Sequence, residues 1–303
     1  MSLPGPTRRH AAVLILAAAC WGVGTAVSKQ AVNEVPPFTL LAVQLAVSLV
    51  FLGVVGYRRG ERLPSSREGR LLGRLGLLNP GIAYALSLLG LTEISASYSV
   101  LLWTLEPIMI LILAVLILGE RIGAILVVLS AVAIAGLVVV VYDPSASAAL
   151  FGVALTVAGV GGCAVYTIAT RRWLPQVDAT LPIIIAQEAY ALGVAVILVI
   201  GAAIAGVSPL PTGLTAGGVL STLASGLLYY GLAYWFYLTG LRRMPASVAA
   251  VAFYLIPVFG LAAATLFGDR LTLLQWVGAA VVVATVATLT VRAASAEASL
   301  QPI

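Results

Sequence analysis

The chain has 303 residues, 61% hydrophobic and 9% charged, with a formal net charge of +5 and a mean hydropathy of +1.11. A soluble domain carries about 25% charged residues, so this composition excludes a surface that faces water and identifies an integral membrane protein. The basic excess does not point to nucleic acid, because the arginines are not clustered as a groove-binding patch.

A membrane span needs about 20 apolar residues at about 1.5 Å of rise each. Ten such runs succeed one another, near 11–30, 38–57, 71–91, 96–118, 122–141, 149–170, 181–205, 214–240, 246–267 and 272–292. They are apolar on every face, whereas barrel strands alternate polar with apolar, so helices are left as the way to satisfy the backbone in lipid. Pro36-Pro37, Asp143-Pro144 and Pro209-Leu210-Pro211 punctuate them, and no hydrophilic stretch is long enough for a soluble domain. Counted from a cytoplasmic N-terminus, 14 basic residues fall inside: Arg8, Arg9, Arg58, Arg59, Arg62, Arg67, Arg70, Arg74, Arg121, Arg171, Arg172, Arg242, Arg243 and Arg292. Only Lys29 and Arg270 fall outside, the asymmetry expected for ten spans with both termini cytoplasmic.

The first span carries Trp21-Gly22 and leaves through Ser28-Lys29-Gln30. It follows Arg8-Arg9-His10 as a signal peptide would, but it is as long as a span and lacks a small-residue cleavage site, so it is retained as a helix. The second span offers Gln44. The loop after it holds six arginines and two glutamates and reads as a solvated cytoplasmic loop near lipid headgroups. The third brings Asn79-Pro80 and Tyr84. The fourth brings Trp103 and Glu106-Pro107, and closes on Gly119-Glu120-Arg121. Tyr166 lies in the sixth span and Gln187-Glu188 in the seventh. The eighth sets Tyr230, Tyr234 and Tyr237 on one helix face. The ninth holds Tyr254 and Pro257 and closes on Gly268-Asp269-Arg270. Cys20 and Cys163 sit inside apolar runs and read as small packing residues.

The third and fourth spans recur as the eighth and ninth. At an offset of 150, Gly81/Gly231, Tyr84/Tyr234, Gly90/Gly240, Ser97/Ser247 and Pro107/Pro257 coincide, and Thr25/Thr167 extends the match at an offset of 142. This indicates a duplication with halves at 10–141 and 149–292. Five spans per half is an odd number, so the second half enters from the opposite side. The expected fold is therefore all-α, with ten transmembrane helices as two inverted five-helix repeats around a central cavity.

An ionisable group at mid-span marks function by default, which makes Glu106 the sharpest candidate, for a substrate amine or a proton. A structural hydrogen bond is the competing reading, and its repeat partner is Ile256, so symmetry does not require it. Glu188 is expected to face the protein interior or reach the interface. Trp103, Tyr230, Tyr234 and Tyr254 lie too deep to be interfacial anchors, and either line the cavity or pack the core. Pro107 and Pro257 read as kinks or hinges. Acidic residues at Glu120 and Asp269 read as helix caps or local ion pairs.

These features resemble the EamA-type members of the drug/metabolite transporter superfamily: Trp21-Gly22, the Ala-Ser openings at Ala96 and Ala246, Glu106-Pro107, Ile256-Pro257, and the closing Gly-Glu-Arg and Gly-Asp-Arg. In particular the chain resembles the YddG-type bacterial exporters of aromatic amino acids. That resemblance implies export of aromatic amino acids and related metabolites, by alternating access, from a bacterial inner membrane. Within it the expected substrate-binding residues are Trp21, Gln44, Tyr84, Trp103, Glu106, Tyr166, Gln187, Tyr230, Tyr234 and Tyr254, with Pro107 and Pro257 as hinges. A carrier for another solute, such as a drug, nucleoside or lipid headgroup, is the alternative. A membrane-embedded enzyme is disfavoured, since the single histidine is His10 and no two acids share ligand spacing on one helix. No cofactor or metal is expected; the partners are a small-molecule substrate and the lipid bilayer, with a monomer as the expected state.

Overall fold

The computed structural model describes residues 8–64, 66–118, 128, 131–132, 135–136, 147–173, 180–211, 213–241, 255–274, 276–285 and 288. Within them the chain is helical and contains no strand. Helix α1 is Arg8–Val32 and α2 is Pro37–Arg58, the second opened by a proline at its first position, where the missing N–H is no loss. Then come α3 (Arg67–Arg74), α4 (Ala83–Glu93), α5 (Ala96–Leu102) and α6 (Leu105–Leu118). The second half supplies α7 (Ser147–Trp173), α8 (Leu181–Ile204), α9 (Ala216–Ser225), α10 (Ala233–Leu241), α11 (Leu255–Leu266) and α12 (Trp276–Thr285).

Six stretches among the described residues are long and apolar enough to cross a membrane: Ala12–Val32, Pro37–Arg58, Arg67–Glu93, Leu150–Thr170, Leu181–Ile204 and Ala216–Tyr237. Two shorter apolar helices, α11 and α12, accompany them. The predicted span at 122–141 lies mostly outside the described residues, as do Gly119-Glu120-Arg121 and Tyr254.

Two predicted elements differ from expectation. The arginine-rich loop is partly helical: Ser66 Oγ accepts the Gly69 N–H at 3.0 Å and starts α3, which buries Gly69, Leu72 and Gly73. An apolar-run reading overlooks α3 because only one of its faces is apolar. The fourth span is two helices, interrupted at Trp103 and Thr104. Pro107 thus stands in the first turn of α6, and the Trp103 carbonyl that its absent N–H would have engaged instead accepts the Glu106 N–H at 3.1 Å.

The third and eighth spans are interrupted at the same repeat position. A 3-10 turn, Leu75–Leu77, and a π turn, Leu78–Ile82, join α3 to α4. A π turn at Gly226–Leu232 joins α9 to α10. Packing follows the same exchange of halves: α1 lies against α10 and α11 as α7 lies against α4 and α6. Helices α2 and α8 pack on each other, and each also packs on the other half's π turn. Glycines set the closest approaches. A Cβ on Gly22 would stand 2.5 Å from the Ile256 carbonyl oxygen, and one on Gly226 would stand 2.9 Å from the Gln44 Cα. Backbones can approach so closely only where one residue has no side chain.

Candidate functional site

The centre of the molecule is marked by one contact. The hydroxyls of Tyr84 and Tyr234 are 2.9 Å apart, and these two residues are repeat partners. A residue that hydrogen-bonds its own counterpart lies on the axis relating the halves. Around the pair gather Trp21, 5.4 Å from the Tyr234 ring and 5.5 Å from Tyr237; Trp103, 5.6 Å from Tyr84; and Tyr229 and Tyr230, 5.3 and 5.5 Å from Tyr84. Most of these contacts are edge to face, the arrangement the ring quadrupoles favour.

A cavity of about 20 Å³ opens beside this cluster. Its walls are aromatic at Tyr84, Trp103, Tyr229 and Tyr230, and hydroxylic at Thr25, Ser28, Ser87 and Ser99, with Leu88 and Leu91 completing it. That volume suits about one water molecule, whereas pockets for small molecules run to about 300–1,000 Å³. The described conformation therefore holds the site closed, its interior filled by the aromatic rings. Two of these four hydroxyls are engaged: Thr25 Oγ1 donates to the Trp21 carbonyl at 3.0 Å, and Ser28 Oγ accepts from Gln44. Ser87 Oγ is buried and has no hydrogen-bond partner.

A larger groove, about 540 Å³, runs along the outer flank between α2 and α8. It is walled by residues such as Ala42, Val43, Val47, Val196 and Ile200 and offers a polar solute little to orient it.

Two glutamines brace the centre from opposite sides. Gln44 on α2 donates to Ser28 Oγ of α1 at 3.0 Å and to Ser225 Oγ of α9 at 2.7 Å. Gln187 on α8 donates to the Leu72 carbonyl of α3 at 3.0 Å and accepts from Tyr166 Oη of α7 at 3.0 Å. Each ties a helix of its own half to one of the opposite half or its neighbour, and neither lines the cavity. Trp21 stands behind Tyr234 rather than in the cavity wall. Glu106, in the first turn of α6, is half-buried within electrostatic reach of Cys163, Tyr166 and the cavity residue Tyr229. Pro257 is buried in α11, on the helix that Gly22 crosses.

At one end of the cluster the charged residues cap helices. Lys29 Nζ donates to the Leu91 carbonyl of the last turn of α4 at 2.7 Å, and Asp269 accepts the Ser97 N–H at the start of α5 at 2.9 Å. Both placements suit the helix dipole. Sequence reasoning did not single out Thr25, Ser28, Ser87, Ser99 and Tyr229 as site residues. The available signal was spacing, since Tyr84, Ser87 and Leu91 share one face of α4, and Trp103 follows Ser99 by one turn at the end of α5.

Comparison with known proteins gives three findings. The model of the EamA-like transporter family matches twice, at residues 9–142 and 150–291. A protein of Archaeoglobus fulgidus, described as an uncharacterized transporter, is 28% identical over 278 residues, spanning 89% of this chain and 94% of that one. A protein known from a crystal structure superposes with a TM-score of 0.67 over 96% of this chain and 100% of its own, at 19% identity, a likeness of fold.

Proposed function

Because the chain belongs to the EamA-like transporter family, and so is a multi-pass membrane transporter of a small molecule rather than an enzyme, we propose that it exports aromatic amino acids and related amphipathic metabolites. In this reading ten transmembrane helices form two inverted halves, 10–141 and 149–292, with both termini in the cytoplasm of a bacterium and the carrier in its inner membrane. Alternating access proceeds by rocking of the two halves about the Tyr84–Tyr234 pair, with Pro107 and Pro257 as hinges. The observation that carries the proposal is the composition of the central cavity, four aromatic rings and four hydroxyls at the axis between the repeats.

The rings take the apolar part of the solute as they part from one another, and Ser87 Oγ, which has no protein partner, is free to hydrogen-bond its polar end. Glu106 addresses the amino group from α6, beside Tyr229. Gln44, Gln187, Tyr166 and Trp21 hold the frame of that site.

The test is entry of labelled tryptophan, against labelled alanine and leucine, into liposomes containing the purified protein. Tryptophan is expected to enter faster than into empty vesicles and faster than the other two. Trp103→Ala is expected to slow it roughly two- to tenfold, the loss of one aromatic contact at about 0.5–1.5 kcal/mol. Equal entry of all three would reject an aromatic preference, and entry of none would reject the substrate assignment.

A further inference from the structure

Glu188 has no part in the solute site just described, yet it is the most enclosed carboxyl among the described residues. It lies on α8 with no exposed surface, and neither carboxyl oxygen has a hydrogen-bond partner. Two groups face it. One is Ser48 of α2, itself fully buried, whose hydroxyl lies within electrostatic reach of the carboxyl; the other, also within that reach, is Tyr230 in the π turn between α9 and α10. Gln44, one turn before Ser48 on α2, likewise has a buried Oε1 without a partner.

The remaining ionisable side chains on elements packed against α8 lie elsewhere. Arg58 ends α2 and Arg67, Arg70 and Arg74 lie on α3, all four exposed; Glu68 is half-buried on α3; Tyr234 and Tyr237 belong to the aromatic cluster on α10. On α8 itself Tyr190 is exposed.

A carboxylate in such a setting is prohibitively costly unless a positive charge is bound to it. No Lys, Arg or His side chain among the described residues faces it, so the positive charge has to arrive as a bound proton or a bound cation. The carboxyl and the Ser48 and Tyr230 hydroxyls supply fewer oxygens than the six or so that a hard metal cation requires, which leaves the proton.

We propose that Glu188 is the site at which the carrier binds and releases the proton it exchanges for its solute. The inference rests on the transport reading above. The carboxylate forms one O–H bond with a proton taken from one side of the membrane and breaks it to deliver that proton to the other; no other bond changes. Tyr230 joins the two sites, since it lies within electrostatic reach of Glu188 and lines the central cavity. A solute that displaces Tyr230 alters the surroundings of the carboxyl and couples occupancy to proton release.

Two measurements test it, the first independent of any substrate. Infrared difference spectra of the purified protein between acid and alkaline pH are expected to show one buried carboxylic-acid carbonyl band, absent from Glu188→Gln and insensitive to sodium. A band that persists in the variant, no titrating band at all, or a band abolished by sodium in place of alkali would overturn the proposal. In liposomes, an imposed pH gradient is expected to raise tryptophan accumulation by the wild type and to leave that of Glu188→Gln at its gradient-free level. A gradient response in the variant equal to the wild type would equally overturn it. Failure of the wild type to move tryptophan, with the infrared band present, would fault the substrate assignment and spare the proton site. Glu188→Gln preserves the shape of the protonated side chain, and a thermal melt matching the wild type confirms that the variant folds.

Discussion

The two glutamine corners of the molecule occupy equivalent places and are built differently. Gln44 joins three helices through two serine hydroxyls, one of which, Ser225 Oγ, also donates to the Thr222 carbonyl of its own helix at 3.0 Å. Gln187 joins its three through a tyrosine hydroxyl and a backbone carbonyl. Gln44 keeps an open oxygen, whereas both ends of Gln187 are engaged. The residue after Gln44 is Leu45 and the residue after Gln187 is Glu188. Duplication supplied the bracing twice, while the ionisable groups Glu106 and Glu188 each occur once, opposite Ile256 and Leu45. The frame is symmetric, whereas its two buried or half-buried glutamates are not.

The comparison is broken most severely at its closest contact. Gly226→Val places a side chain against the Gln44 backbone, where even a Cβ would stand 2.9 Å away. A loss of about 3 kcal/mol or more is expected, since the neighbouring atoms are backbone and cannot turn aside. Thermal unfolding in detergent measures it, and a melt within a degree or two of the wild type would show that α2 and α9 pack less closely than described.

The corners themselves are separated by one pair of variants. Gln187→Leu strands the Leu72 carbonyl and the Tyr166 hydroxyl, at about 1–3 kcal/mol. Gln44→Leu strands two serines, which can turn to carbonyls of their own helices, and costs about 0.5–1 kcal/mol. The order of the two melting temperatures is the readout, and the reverse order would contradict the asymmetry.

The finest test is the pair on the axis. Tyr84→Phe and Tyr234→Phe each remove the same hydrogen bond, worth about 0.5–1.5 kcal/mol. In a double-mutant cycle the second change should add almost nothing to the first. Additive losses would mean that the hydroxyls do not bond each other.

Some of the site was legible along the chain. Trp103 and Tyr230 were picked out because aromatic residues at that depth are out of reach of the interface, and both stand in the cavity wall. Asp269 was read as a helix cap or a local ion pair, and it caps a helix, although one 172 residues away in sequence. Ser87 and Ser99 were passed over because a lone serine in an apolar run has no local property that separates a cavity wall from a helix contact. Gln44 and Gln187 were expected to bind substrate, and the sequence gives no sign that their amides bridge helices instead.

Composition and spacing alone determined that this is a helical membrane protein with an internal duplication, because the length of an apolar run and the register of a repeat are properties of the chain itself. The closed cavity, the hydroxyl pair on the axis, the break ahead of Pro107 and the unpartnered carboxyl of Glu188 were decided only by packing. Each depends on which residues from distant segments share a contact of a few ångströms, and in apolar helices of nearly uniform composition that choice is made by the fit of side chains between helices.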